Sequence, residues 1–149
     1  MSFYFYFTKI TEYSQADLVS IHTLEENNFL ADLTNNSTAE FWTGGIGHRW
    51  LDGSAWQYDN WAAGEPVSLH SGCVVYSSQT REWSVQSCGD KRDFVCKKHC
   101  PMGWRLYQDH CYKYVDEPRS WEQARTDCLS YQVCREVSRE VIRIVLFSG

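Results

Sequence analysis

The stretch WLDGSAWQYDNWAAGEP, at residues 50–66, holds three tryptophans, one tyrosine and two glycines. It contains no leucine or isoleucine after Leu51, so aliphatic side chains cannot anchor it to a core. A buried aromatic side chain removes about 150–250 Å² from water, and rings are therefore the groups able to keep such a segment ordered. The composition predicts a long loop held in place by its own aromatic side chains.

A short hairpin is expected to lead into this loop. The dipeptide Asp52-Gly53 is typical of a tight turn, and it separates Trp50-Leu51 from the alternating Trp56 and Tyr58. Three motifs then follow in order: W-x-D-G-S, Y-x-N-W and G-E-P. In this order they resemble the long-loop region of the C-type lectin-like domain. We therefore expect Trp61, and Trp42 further upstream, to be largely buried.

That resemblance implies a fold and a class of function. The fold is α+β, with two small antiparallel sheets, two flanking helices and a long aromatic-rich loop, stapled by disulfides. The function is extracellular recognition of a glycan or of another protein, in a secreted protein or a receptor ectodomain. We expect glycan binding first. The alternatives are protein binding by a module of the same fold, or a non-autonomous fragment with no activity of its own.

Composition sets the outer limits of these expectations. The chain has 149 residues, 43% of them hydrophobic, which is enough for one core or for one domain plus a fragment. The net charge is −5 and the lysines and arginines are scattered, so we expect no nucleic-acid partner. Seven cysteines in so short a chain indicate an oxidising compartment and a disulfide framework.

Residues 16–99 resemble the C-terminal part of one such domain. The run ADLVSI is strand-like, and Thr23-Leu24-Glu25-Glu26 spells a capping box that predicts a helix from about Thr23 to Leu33. Trp42 then lies where the family has a core strand, and the cysteines after residue 72 lie where it has its last strands. The family's first helix is missing from this part.

Residues 100–132 resemble the beginning of a second domain. Cys100-Pro101-x-Gly103-Trp104 is similar to an N-terminal hairpin, and Ser120-Trp121-Glu122-Gln123 opens a helix with another capping box. The two parts together supply one domain in rotated order, which suggests a fragment of a tandem-domain parent of the mannose-receptor type or of a multi-domain invertebrate lectin. Residues 1–15 and 133–149 are flanks without resemblance. They show neither a signal peptide nor a membrane span.

The resemblance also implies disulfide pairs. In the family a first-helix cysteine pairs with a final-strand cysteine, and Cys128 and Cys96 are the candidates for those roles. If they pair, residues 100–131 fill the place of the missing N-terminal part and the chain folds as one circularly permuted domain. Otherwise it consists of two incomplete domains. The expected pairs are Cys73–Cys88, Cys100–Cys111 and Cys96–Cys128, with Cys134 left free.

A calcium site is not expected, because the ligand set of sugar-binding relatives is missing. Ca²⁺ takes about six to eight oxygen ligands. Glu65 matches the family, but Val67 replaces an amide, Gly72 stands where an acid precedes the cysteine, and Ser84-Val85 replaces an Asn-Asp pair. We interpret Glu65 as a lone remnant of that site or as a plain loop residue. The ligand-binding candidates are Glu65 and three aromatic residues, Trp56, Tyr58 and Trp83. The rings of these three can stack on sugars.

Three further readings carry less weight. Cys96, His99, Cys100, His110 and Cys111 have spacings that a zinc site can use, although disulfides explain the same cysteines. No H-E-x-x-H, G-x-S-x-G or phosphate loop is present, so we do not expect an enzyme.

The overlapping N-x-S/T sequons make Asn35 and Asn36 glycosylation candidates. His22, His48 and His70 are isolated in the sequence and have no evident partner.

Overall fold

The structure is a computed structural model, and it describes residues 16–34, 39–68, 70–99, 104–108 and 110–131. The glycosylation candidates Asn35 and Asn36, together with Cys100 and Cys134, lie outside these ranges. The two flanks, residues 1–15 and 133–149, also lie outside them.

The described residues form eight strands and two helices. In chain order they are β1 (Asp17–Leu18), α1 (Leu24–Leu33), β2 (Glu40–Ile46), β3 (Arg49–Trp50), β4 (Cys73–Ser77), β5 (Trp83–Gln86), β6 (Arg92–His99), β7 (Arg105–Tyr107), β8 (His110–Arg119) and α2 (Trp121–Ser130). Neither helix has the length and apolar character needed to cross a membrane.

The strands fall into two antiparallel groups. One group has the order β5-β4-β2-β3, and the other has β1 and β8 on either side of β6, with β7 beyond β8. A short parallel pairing joins the groups, because Phe41 and Trp42 of β2 lie beside Asp93 and Phe94 of β6. The expected α+β fold with two helices is confirmed, and the parallel pairing joins the two antiparallel groups into one eight-stranded sheet.

Both predicted helix starts are present. The Thr23 hydroxyl accepts a hydrogen bond from the Glu26 backbone N–H at 3.0 Å, which satisfies one free donor of the first turn of α1. The Glu26 carboxylate does not complete a capping box. It accepts instead from the His22 backbone N–H at 2.8 Å. At α2 the capping box is complete, with Ser120 and Gln123 bonded reciprocally.

The closing segment, which we define as residues 104–108 and 110–131, completes the core of the earlier part. β8 pairs with β6 along seven positions, and Tyr112 lies in the same buried cluster as Val19, Leu30 and Trp83. α2 inserts Trp121 into a second cluster. Two expected disulfides are present, Cys73–Cys88 and Cys96–Cys128, the latter with its Cα atoms 5.4 Å apart. The described residues therefore pack into one fold, whereas the rotated order relative to the family and descent from a tandem parent stay predictions.

The disulfides also decide against the zinc reading. Cys96 is bonded to Cys128, and Cys111 is disulfide-bonded as well. A sulfur in a disulfide is not the thiolate that zinc requires. No group of three or more metal-ligating side chains occurs within the described ranges.

Trp42 of β2 is at the centre of the second cluster. Its ring is 0% exposed, and its Nε1 donates a hydrogen bond to the Arg119 carbonyl at 2.9 Å. The expectation of burial is thus met for Trp42. Trp61 is only half-buried, because one side of the long loop remains on the surface.

We predict that Trp42→Ala lowers the free energy of unfolding by about 3–5 kcal/mol, because it removes a buried ring and leaves a cavity. Chemical denaturation followed by circular dichroism measures this loss. Leu24→Ala is the control, since Leu24 is 54% exposed and its truncation should have a small effect. Equal losses for the two variants would contradict the assignment of Trp42 to the core.

Candidate functional site

The long loop, residues 51–68, contains no helix and no regular strand. Its middle is fixed by a parallel bridge between Trp61 and Trp83 of β5. The Trp83 backbone N–H donates to the Asn60 carbonyl, and the Ala62 N–H donates to the Trp83 carbonyl, each at 2.9 Å. The loop is therefore held at β5 by its backbone as well as by its rings.

Four aromatic side chains of the loop region pack around Trp83. The rings of Trp50 and Trp56 are stacked with centroids 4.3 Å apart, and Trp61 lies 5.9 Å from Trp56 in a nearly parallel plane. The ring of Trp83 is close to perpendicular to these three and to Tyr58, at centroid distances of 5.6–5.8 Å. Edge-to-face contacts of this kind are favourable beyond their burial of area. The structure confirms the prediction of a long loop held in place by its own aromatic side chains.

Trp83 is not available to a ligand, which corrects its choice as a candidate. Its side chain is 0% exposed, and its Nε1 donates to the Asn27 side-chain oxygen at 2.8 Å. Sequence reasoning also missed Asn27. This buried residue of α1 donates from Nδ2 to the Arg81 carbonyl, and its own carbonyl accepts from the Tyr76 hydroxyl. The only sequence signal for Asn27 was its position as a polar residue within the apolar stripe of the predicted helix.

Trp56 and Tyr58 lie at the surface but turn their polar atoms inward. Both side chains are half-buried, as is Trp61. The indole nitrogens of Trp56 and Trp61 and the Tyr58 hydroxyl are nevertheless buried. Burial, and then the negative charges of Asp59 and Glu25, raise the pKa of Tyr58. The exposed parts of these three side chains are therefore carbon, whereas tryptophan and tyrosine at a surface usually keep the polar end in water.

His48 joins these rings from outside the loop. It lies in the turn between β2 and β3, where Gly47 has a φ of +57°, a conformation that favours glycine. The His48 ring is exposed, with its centroid 4.9 Å from that of Trp56 and 6.3 Å from that of Trp61. We call the exposed parts of His48, Trp56, Tyr58 and Trp61 the ring surface. The expectation that His48 has no partner was wrong, because its partners are distant in sequence.

Glu65 has a structural contact that the sequence did not indicate. Its Oε2 accepts hydrogen bonds from the backbone N–H groups of Val67 and Val85, each at 3.1 Å. One carboxylate oxygen thus connects the end of the loop to β5. Val67, where sugar-binding relatives have an amide, is apolar and 73% exposed. This donor set does not fit Ca²⁺, which requires several converging oxygens.

The start of the loop is attached to the segment before α1. The Ser20 hydroxyl donates to Asp52 Oδ2, and His22 Nε2 lies 3.1 Å from the same Ser20 oxygen. Asp52 Oδ1 accepts from the Ser54 backbone N–H at 2.9 Å. The His22 ring also packs edge-on against Trp50. His22 is therefore part of a polar connection at the loop base and is not isolated.

Both titratable groups of this connection have lowered pKa values. Burial, followed by the positive charge of Lys97, lowers the pKa of His22. Burial alone would raise the pKa of Asp52, but hydrogen bonds from Ser20 and Ser54 outweigh it and lower the pKa. In both cases the folded protein disfavours the protonated form.

We predict that the free energy of unfolding decreases as the pH falls below about 6.5, the usual pKa of histidine, because the unfolded chain then takes up the His22 proton first. The His22 contribution is complete above that pH and is lost as the pH falls through the lowered pKa. The Asp52 contribution is lost at more acidic pH. Melting temperatures measured between pH 7.5 and 5 test this, with His22→Gln expected to flatten the dependence.

His70→Gln is the matched control, because His70 is exposed and should leave the dependence on pH unchanged. If His22→Gln retains the full slope of the wild-type chain, another group is responsible and the assignment to His22 is wrong.

A shallow groove of about 520 Å³ lies at the start of α2, away from the loop. Its lining is mostly charged and polar, with Arg119 bonded to Glu117 at 2.7 Å and to Asp127 at 3.5 Å. No aromatic side chain lines it, and Arg119 is already paired with Asp127. We assign no ligand to it.

Comparison with known proteins places the chain in a family. Residues 11–98, more than half of the chain, match the model of the Lectin C-type domain. The match begins five residues before residue 16, where the resemblance was expected to start. The lectoxin-Lio1 C-type lectin of Erythrolamprus poecilogyrus is 41% identical over 99 residues, which cover 58% of this chain and 60% of that protein.

Two longer relatives are receptors. The rabbit secretory phospholipase A2 receptor is 29% identical over 143 residues, and the human C-type mannose receptor 2 is 26% identical over 145. These matches cover 76% and 79% of this chain, but only 10% of each receptor. Among solved structures, human lithostathine is 30% identical with a TM-score of 0.50, over 60% of this chain and 70% of that one. The chain is a member of the C-type lectin domain family.

Proposed function

We propose that this chain is an extracellular recognition module that binds carbohydrate without calcium, through the ring surface of its long loop. The observation that carries the proposal is the orientation of the rings. The polar atoms of Trp56, Tyr58 and Trp61 are buried, and only carbon is exposed. A ring face is negatively polarised and attracts the C–H groups on the apolar face of a sugar.

The fixed position of the rings also supports binding. Trp56 is stacked on Trp50, and the loop backbone is bonded to Trp83 on both sides of Trp61. A surface that is already rigid loses little conformational entropy when a ligand binds. The disulfides support an extracellular location, because such bonds persist in oxidising compartments. The proposal contains no catalytic step.

The contacts of Glu65 support independence from calcium. Its Oε2 is already used by two backbone N–H groups, and the neighbouring Val67 offers no side-chain oxygen. A single carboxylate with one committed oxygen is far short of about six ligands. We therefore assign Glu65 to the structure of the loop and not to a metal site.

Protein binding is the second candidate, and one observation favours it. Exposed aromatic carbon also anchors protein interfaces, where tryptophan and tyrosine are frequent among the residues that dominate affinity. One relative bears the name of a receptor for secretory phospholipase A2, which is a protein. Under this alternative the same ring surface would contact a protein and no glycan would bind.

A glycan array probed with the whole chain, with Ca²⁺ and again with EDTA, tests the proposal. We expect binding that EDTA leaves unchanged and that Trp56→Ala abolishes, because that variant removes the central exposed ring. Circular dichroism must show that the variant is folded. Binding lost in EDTA would contradict independence from calcium, and absence of binding to every glycan would favour the protein alternative.

The role of Glu65 gives a separate prediction. Glu65→Ala should lower the free energy of unfolding by about 1–3 kcal/mol, because two backbone N–H groups lose a charged acceptor. Glu65→Gln is the control, since its amide oxygen can still accept. Millimolar Ca²⁺ should leave the melting temperature of the wild-type chain unchanged, because a ligand that binds only the native state must raise it. A rise that Glu65→Ala removes would contradict the structural role.

A further inference from the structure

We propose that two copies of this chain exchange their closing segments, so that the core of each copy is completed by the segment of the other. The partner is thus a second copy of the chain. The surface that it occupies is formed by β6, β1 and the two buried clusters. This inference is independent of the proposed function.

The closing segment is held by contacts with residues that are distant in the chain. The Trp121 Nε1 of α2 donates to the Thr43 carbonyl of β2 at 2.9 Å, across 78 residues of sequence. Arg125 Nε lies 3.2 Å from Asp17 Oδ1 of β1, across 108 residues. None of these contacts requires that its two sides belong to the same chain.

The surface beneath the closing segment is apolar and needs a cover. Leu18, Trp42 and Phe94 are at most 1% exposed, and they share a cluster with Trp121 and Ala124 of α2. Soluble proteins rarely leave such an area open to water. A folded copy therefore requires a closing segment, either its own or that of another copy.

The connection between β6 and β7 is short for the path that it follows within one chain. β6 ends at His99, β7 begins at Arg105, and β8 lies between these two strands. Both strands are antiparallel to β8 and are therefore parallel to each other. His99 and Tyr107 lie opposite the same residue, His110, so the chain must cross β8 and also return by two residues. Connections between parallel strands usually take about a dozen residues or more, whereas this one has residues 100–104 alone.

A short connection favours exchange, because a segment that enters another copy need not turn back across its own strand. The contacts of the closing segment are the same in both arrangements, so the connection decides between them. Reciprocal exchange uses each segment and each acceptor surface once, and it closes as a two-fold dimer. Such a dimer carries two ring surfaces, since all four residues of the ring surface belong to residues 16–99.

The Cys96–Cys128 disulfide provides the test, because exchange turns it into a bond between two chains. Full-length Cys96→Ser and Cys128→Ser variants are refolded together, both carrying Cys134→Ser so that this cysteine cannot link chains. We expect a covalent heterodimer that a reducing agent separates, since each variant retains the cysteine that the other lacks. Mass mapping of its peptides should join Cys96 to Cys128. Neither variant refolded alone should form this bond.

The wild-type chain gives a second measurement that does not depend on the folding of the variants. Its mass is 17.4 kDa, and light scattering should give about twice this value for the exchanged dimer. The matched control is a chain with about ten glycine and serine residues inserted after His99, because a longer connection removes the reason for exchange. We expect this lengthened chain to be a monomer with Cys96 and Cys128 bonded within one chain.

Two outcomes would overturn the exchange. One is a monomeric wild-type chain whose Cys96–Cys128 bond is internal, and the other is a dimer whose chains are not joined through these two cysteines. If the lengthened chain forms the same linked dimer, the short connection is not the cause and the inference is also wrong. No glycan enters these measurements, so their failure leaves the proposed function standing.

Discussion

The contacts of Trp83 are the constraint on which the rest of the structure depends. Its ring is the common neighbour of Trp50, Trp56, Tyr58 and Trp61, and both of its backbone polar groups bond to the loop. Its indole nitrogen donates to Asn27 of α1. A single buried side chain therefore joins a sheet edge, a helix and a loop that has no regular hydrogen bonding of its own. The contacts with Trp83 hold the exposed rings of the loop in position.

A buried ion pair of the first part of the chain, between Glu26 and Lys97, is connected to the closing segment by a hydrogen bond from Tyr112. Glu26 of α1 accepts from Lys97 Nζ at 2.5 Å and from the Tyr112 hydroxyl, and all three side chains are buried. Removing one partner of such a pair costs about 3–5 kcal/mol, because a charge remains buried alone. Tyr112 belongs to the closing segment. The hydrogen bond to Glu26 and the Cys96–Cys128 disulfide both specify where that segment packs.

The sequence predicted those features that depend on local pattern. Thr23 and Ser120 begin helices because their hydroxyl groups accept from nearby N–H groups, and a run of rings without aliphatic residues indicated the pinned loop. It did not predict which rings are exposed. The sequence alone does not distinguish Trp56 from Trp83, but Trp83 is buried and bonded to Asn27 of α1, whereas Trp56 is half-buried. The contacts of Asn27 and Lys97, and the one between Glu65 and Val85, were missed because these partners are distant in sequence.

Binding and stability are therefore hard to separate on the long loop. Trp56 and Trp61 pack against the core with one part of each ring and expose another part, so substitution at either position alters the loop as well as its surface. His48 differs because it comes from a two-residue turn and is exposed. Its side chain contacts the outer rings without supporting them from within. Substitution of His48 is therefore expected to alter the ring surface while leaving the buried contacts of Trp83 intact.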